Sequence, residues 1–237
     1  MPAVLRRARQ EPNAILFAAQ LAGVLLYPFM EGNDAGRALF SVFGIAILGL
    51  VVLAVRHAPG LTWIGVLFAV PATVLLLVQV ATRDDDLLPY SSALEAPLYF
   101  YAAGTLIFYM LRDHEVTRDE LFAVGATFTL VAWAFAYTYT TLQAIAPGSF
   151  TAAVNPEEAR TWVELLFLSF TTLTSVGLSD VIPIKPFARA VVMLEELGGL
   201  AYVAMLVSRL VGLTVTRRQP RDEAAAAIAS ESDRQQR

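Results

Sequence analysis

Six apolar stretches, each about the length that crosses a bilayer, dominate this chain. They fall at 14–30, 38–55, 61–80, 94–111, 121–142 and 187–215. A hydrocarbon layer about 30 Å thick takes about 20 helical residues, so each run reads as a spanning helix. Turn residues separate them: Glu31-Gly32-Asn33-Asp34-Ala35-Gly36, then Pro59-Gly60, then Asp84-Asp85-Asp86. Pro71 and Pro97 lie within runs three and four and read as kinks or first-turn residues, which spanning helices tolerate. One more apolar segment, 161–173, sits between the fifth and sixth runs and is too short to cross. It reads as a re-entrant helix, which a membrane admits only where protein shields the broken backbone. The expected fold is an all-α membrane protein with six transmembrane helices.

Composition agrees. Hydrophobic residues make up 57% of the chain and charged residues 16%, against about 25% charge in soluble domains. There is no cysteine, which excludes disulfides and thiol chemistry. A net charge of −4 gives no reason to expect a nucleic-acid partner. His57 and His114 fall in predicted loops without metal-site spacing and read as solvated residues. With the N-terminus in the cytoplasm, 12 of the 17 basic residues lie inside, which fits the positive-inside rule. Both termini are then cytoplasmic in a multi-pass plasma-membrane protein. The first run follows Arg6-Arg7 as a signal peptide would, but Tyr27-Pro28-Phe29-Met30 offers no small-residue cleavage site, so a retained helix is expected.

The re-entrant segment has a readable start. Asn155 suits a cap, Pro156 the first helical position, and Glu157 and Glu158 the positive end of the dipole. The helix then runs inward, and its negative end favours a cation near the membrane centre. The chain must return outward through Thr174-Ser175-Val176-Gly177-Leu178-Ser179-Asp180. A lone extended strand leaves carbonyls unpaired, which lipid does not allow. Several copies around an axis could aim those carbonyls at dehydrated cations, so the strand calls for an oligomer.

The run Ser169-Phe170-Thr171-Thr172-Leu173-Thr174-Ser175-Val176-Gly177-Leu178-Ser179-Asp180-Val181-Ile182-Pro183 resembles the potassium-channel filter, usually TTLTTVGYGD followed by proline. Leu194-Glu195, Gly199 and Ser208-Arg209-Leu210-Val211-Gly212 look like the family's inner helix. The resemblance covers about 121–213 and implies a homotetramer. By it, the carbonyls of Ser175, Val176, Gly177 and Leu178 bind monovalent cations, the Ser175 hydroxyl serves the innermost site, and Asp180 bonds toward the re-entrant helix behind the outer mouth. Potassium ions in the filter are the only bound species expected, with no cofactor. Leu178 and Ser179 depart from the family's tyrosine and second glycine. Phe167 and Leu168 would then brace the filter by apolar packing. A positive φ at Ser179 would cost about 1–2 kcal/mol, so the outer ion site is expected to be altered or missing.

Gly199 reads equally as a hinge or as a close-packing residue. If it faces the axis, Val203 and Val207 do so too and form an apolar constriction. Glu195, a carboxylate within an apolar helix, is expected to bond to Ser169, Thr171 or Thr172 and support the filter; a pH sensor is the sharper alternative. Run four carries no Arg or Lys, so the first four helices lack a voltage sensor's charges. They scaffold the pore or bind a lipid or another ligand. The organisation expected is a four-helix domain over 1–112, a pore domain over 113–215 and a short cytoplasmic tail over 216–237. The function expected is passive potassium conduction, with a weakly selective cation channel or a non-conducting regulatory subunit as alternatives. No nucleophile elbow or metal motif points to an enzyme.

Overall fold

The computed structural model describes residues 12–30, 43–44, 46–47, 49–50, 62–82, 87–112 and 118–235. Four helices come first: α1 (Pro12–Met30), α2 (Thr62–Thr82), α3 (Leu88–Arg112) and α4 (Arg118–Ile145). Then come β1 (Phe150–Ala152), the short α5 (Trp162–Leu173), β2 (Val181–Pro183) and the long α6 (Pro186–Gln235). The second apolar run, 38–55, lies largely outside the described residues; those described within it are helical.

Three helices among the described residues are long and apolar enough to cross a membrane: Leu88–Arg112, Asp119–Ile145 and Pro186–Arg209. Helices α1 and α2 contain shorter apolar stretches, Asn13–Tyr27 and Trp63–Gln79. At 1.5 Å per residue each whole helix still extends about 30 Å. Pro71 and Pro97 both sit inside their helices rather than in a first turn.

Contacts fix the relative directions. Asn13 of α1 binds Asp119 in the first turn of α4 through its backbone N–H (3.1 Å) and its side-chain amide (2.6 Å). Further along, Tyr27 packs on Trp162, which packs on Tyr137 of α4. Thus α1 and α4 run parallel. Helix α3 runs against α4, with Phe100 edge-on to Phe135 and Met110 clustered with Ala123. Helix α6 also runs against α4, since Glu195 meets Tyr139, Tyr202 meets Val124 and Arg209 meets Glu120.

The fold is all-α apart from one short ribbon, in which β1 and β2 pair antiparallel, Phe150 with Pro183, Thr151 with Ile182 and Ala152 with Val181. One expectation needs correction. The short helix is not capped by Asn155, which adopts φ +49° in a turn closed by the Glu158 N–H on the Asn155 carbonyl. Its cap is Thr161. The helical backbone of α6 continues from the apolar run through the polar tail to Gln235.

Candidate filter segment

Helix α5 begins at a capping box. The Glu164 N–H donates to Thr161 Oγ1 (3.3 Å), and the Thr161 N–H donates to Glu164 Oε2 (2.6 Å). Two otherwise unpaired donors are thereby satisfied. Just before the cap, Arg160 is buried and organises the preceding loop. Its guanidinium donates to the carbonyls of Val154, Asn155 and Glu158 and to Glu164 Oε1. Its backbone exchanges two bonds with the Gln143 side chain, at 2.7 and 3.0 Å. Arg160 and Gln143 thus anchor the start of α5 to the end of α4.

From there α5 points back along α4. Trp162 lies against Trp133 and Tyr137, Ser169 donates to the Ala132 carbonyl at 2.9 Å, and Phe170 packs near Phe128. The helix therefore stops about midway along α4.

Its stop is a Schellman motif. Thr174 is the C-cap, and Ser175 follows at φ +58°. The Ser175 N–H donates to the Thr172 carbonyl (2.9 Å) and the Val176 N–H to the Thr171 carbonyl (3.0 Å). The Gly177 N–H joins the same Thr171 carbonyl at 3.1 Å. Glycine usually fills the left-handed position of this motif, and a side chain there costs about 1–2 kcal/mol. Three successive filter N–H groups are thus committed to the end of α5. No hydrogen bond among the described residues takes up the carbonyls of Ser175, Val176, Gly177 or Leu178.

The segment 174–178 is exposed in the single chain, with Val176 at 56% and Leu178 at 75%. The left-handed residues here are Ser175 and Gly177, not Ser179. Ser179 instead accepts the Val181 N–H on its own Oγ at 3.1 Å, a local side-chain turn that serine supports and glycine could not. The expected strain at Ser179 is therefore absent. Asp180 is exposed and makes no hydrogen bond to α5 among the described residues. Phe167 is half exposed, whereas its neighbour Leu168 is buried in the cluster with Tyr139, Phe150 and Val181.

Glu195 is fully buried and bonded to Ser169 of α5, as expected, and to Tyr139 of α4. Tyr139 was not legible as a partner, because α4 offers many hydroxyls and the sequence does not phase them against α6. Gly199 settles between its two readings. A Cβ on it would meet the Leu173 carbonyl oxygen and would lie 2.8 Å from Leu173 Cα. It is the point where α6 passes directly over the end of α5. Gly199 faces α5 along a buried stripe with Ala188, Val192, Glu195 and Tyr202. Val203 and Val207, one and two turns beyond Gly199, lie on the exposed flank of that stripe together with Leu200 and Val211.

Comparison with known proteins meets this geometry. Residues 98–215 match a protein-family model described as an ion channel. The matched span holds most of α3, all of α4 and α5, the filter segment and the apolar part of α6. It supports an ion channel of the potassium-channel type over these residues, and channel families are not enzyme families. No curated protein and no solved structure matches the chain.

Proposed function

We propose that four copies of this chain surround an axis in the plasma membrane and pass potassium passively through the carbonyls of Ser175, Val176, Gly177 and Leu178. The observation that carries this is the polarity of one short strand. Three of its four N–H groups are committed to the end of α5, while its carbonyls have no partner among the described residues and lie on an exposed surface. An unpaired carbonyl at membrane depth needs a partner, and a ring of such carbonyls can replace the water shell of a cation. The end of α5 adds its negative dipole end at the inner start of that strand. Six spans with both termini in the cytoplasm complete this reading.

A weakly selective cation pore is the second reading, favoured by the outer half of the filter. There Ser179 follows a side-chain turn in place of the left-handed backbone a second glycine would allow. The inner half then keeps its ion sites while the outer site changes. Below the filter, Val203 and Val207 on the exposed face of α6 would form an apolar constriction that gates by dewetting. Lipid covers the outer helices, and the first four helices scaffold the pore or bind a lipid or another ligand.

The test is cation flux from liposomes that contain the purified chain, with potassium, rubidium, sodium and lithium compared. Potassium flux well above sodium supports the first reading, and equal fluxes support the second. Flux of none of them would leave the chain as a non-conducting subunit and sink both. Bi-ionic reversal potentials for the wild type and Ser179→Gly refine the result: equal, strong potassium selectivity in both removes the altered outer site. Val207→Asp is expected to raise open probability, and unchanged gating takes that residue out of the pore.

A further inference from the structure

Three polar groups meet at the centre of the pore half, and their hydrogens can be counted. Tyr139 OH lies against Glu195 Oε2. Ser169 Oγ lies against Glu195 Oε1 and also 2.9 Å from the Ala132 carbonyl oxygen. These are three contacts, and each needs one hydrogen. Each hydroxyl supplies one, and the Ala132 carbonyl can only accept. If the Tyr139 hydrogen serves Oε2 and the Ser169 hydrogen serves Ala132, the contact between Ser169 and Oε1 still lacks a hydrogen. Only Glu195 can provide it.

The surroundings point the same way. Glu195 has no solvent exposure. No Lys or Arg occurs in α5, or in α4 beyond its first residue. On α6 the flanking cations are Arg189, which is exposed and bonded to the Pro183 carbonyl, and Arg209, which is paired with Glu120. The adjacent carboxylate, Glu196, is exposed. A buried charge at membrane depth without a counter-ion is expensive, whereas a neutral acid has the one donor and one acceptor this site uses.

We infer that Glu195 is a neutral carboxylic acid that positions α5: its O–H donates to Ser169 Oγ, Ser169 passes its hydrogen to the Ala132 carbonyl, and Tyr139 donates to the acid's other oxygen. The chain of bonds links α6, α5 and α4 at one level, one turn of α6 above the Gly199 contact. It rests on the reading of α5 as the helix that carries the filter, and it makes Glu195 a positioning residue rather than an ion ligand. A glutamine reproduces the pattern, since its NH2 can donate to Ser169 and its carbonyl can accept from Tyr139.

Infrared spectra of the full chain in detergent test this. The wild type minus Glu195→Gln difference is expected to show loss of a protonated-acid C=O band with the ionised carboxylate bands unchanged. A difference confined to the ionised bands overturns the proposal. Tyr139→Phe provides a second variant that keeps the acid: losing the donated bond should move that C=O band to higher frequency, and an unmoved band also overturns it. Thermal stability and cation flux should stay near wild type in Glu195→Gln and fall in Glu195→Ala. Equal damage in both means that the site requires an anion, against the proposal. The infrared readings need no conduction, so a chain that carries no flux would defeat the channel reading and leave this inference testable.

Discussion

The two halves of the molecule differ in how many polar bonds cross from helix to helix. Hydroxyls bond back to their own helices in both, as Thr73 to Ala69 and Thr105 to Ala102 in α2 and α3 and Thr129 to Gly125 and Thr140 to Ala136 in α4, and Asn13 of α1 crosses to Asp119 of α4. Between α3 and α4 the contacts that stand out are rings, with Tyr99 stacked on Tyr137 at 5.4 Å and Phe100 edge-on to Phe135 at 4.9 Å. In the pore half, polar bonds cross from helix to helix at successive levels, through Gln143 and Arg160, Tyr139 and Glu195, Val124 and Tyr202, and Glu120 and Arg209. Ring packing tolerates small sliding, whereas directional bonds fix atoms relative to one another. The half that carries the proposed filter has more of the second kind.

The halves also differ in completeness. In its apolar window α3 of the first half is 44% buried, but α6 of the second only 22%. The exposed apolar residues of α6, among them Leu197, Leu200, Val203 and Val207, lie beside the exposed filter segment and await the other copies in the proposed tetramer. Those of α2, such as Trp63 and Leu67, have only lipid to face in that arrangement.

The largest effect that would test this contrast is at Gly199. Gly199→Ala forces a Cβ into the backbone of Leu173, and overpacking of this kind costs about 3 kcal/mol, the upper end of the usual range because backbone yields little. Gly198→Ala, with nothing within 4 Å inside the subunit, should leave the subunit fold intact. Denaturation in detergent compares the two, and equal stability removes the close-packing role. Next is the Arg209 and Glu120 pair, whose side chains are 13% and 3% exposed. Glu120→Ala removes an ion-pair partner of a largely buried guanidinium and should cost about 2–3 kcal/mol once partial solvent screening is allowed for. A double-mutant cycle with Arg209→Ala should recover much of that loss, and strict additivity would show that the pair is not coupled.

A smaller change should go the other way. Ser175→Gly relieves the left-handed backbone and should stabilise the subunit by about 1–2 kcal/mol; a loss of stability would mean that the hydroxyl contributes more than the strain costs. The smallest effect is expected at Leu67→Ala on α2, within about 0.5 kcal/mol for an exposed position. Leu200→Ala on α6, of similar exposure, should instead shift the oligomer toward free subunits in gel filtration. The same outcome for both would erase the distinction between the two exposed faces.

Much of this fold was legible because length and apolarity alone mark a spanning helix. The limits 161–173 for the short helix came within a residue of the structure, since the turn chemistry around it is sharp. Its cap was misplaced for a physical reason. Asn155-Pro156-Glu157-Glu158 has the composition of a helix start, but so does Thr161 followed by Glu164, and composition cannot rank two such starts. The ribbon was missed because three-residue strands give too little alternation to see. Ser169 as a partner for Glu195 could be anticipated from polarity in an apolar setting. Tyr139, Arg160 and the Gly199 contact with Leu173 depend on how helices are rotated against one another, which periodicity does not fix.

The ribbon has a consequence for the order of assembly. Ala152 pairs with Val181, and the Ile184 N–H adds a bond to the Ser149 carbonyl at 2.8 Å. Everything from the Arg160 loop through α5 to Ser179 lies within the loop so closed. Closing a long loop carries an entropic cost that a few strand bonds recover poorly while the enclosed chain is still unstructured. The clasp is therefore expected to close after α5 has docked. A chain whose filter segment is one residue too long or too short would present β2 out of register, with its side chains turned to the wrong face. Those six paired residues act as a gauge that checks the span of the pore element before the outer surface is sealed.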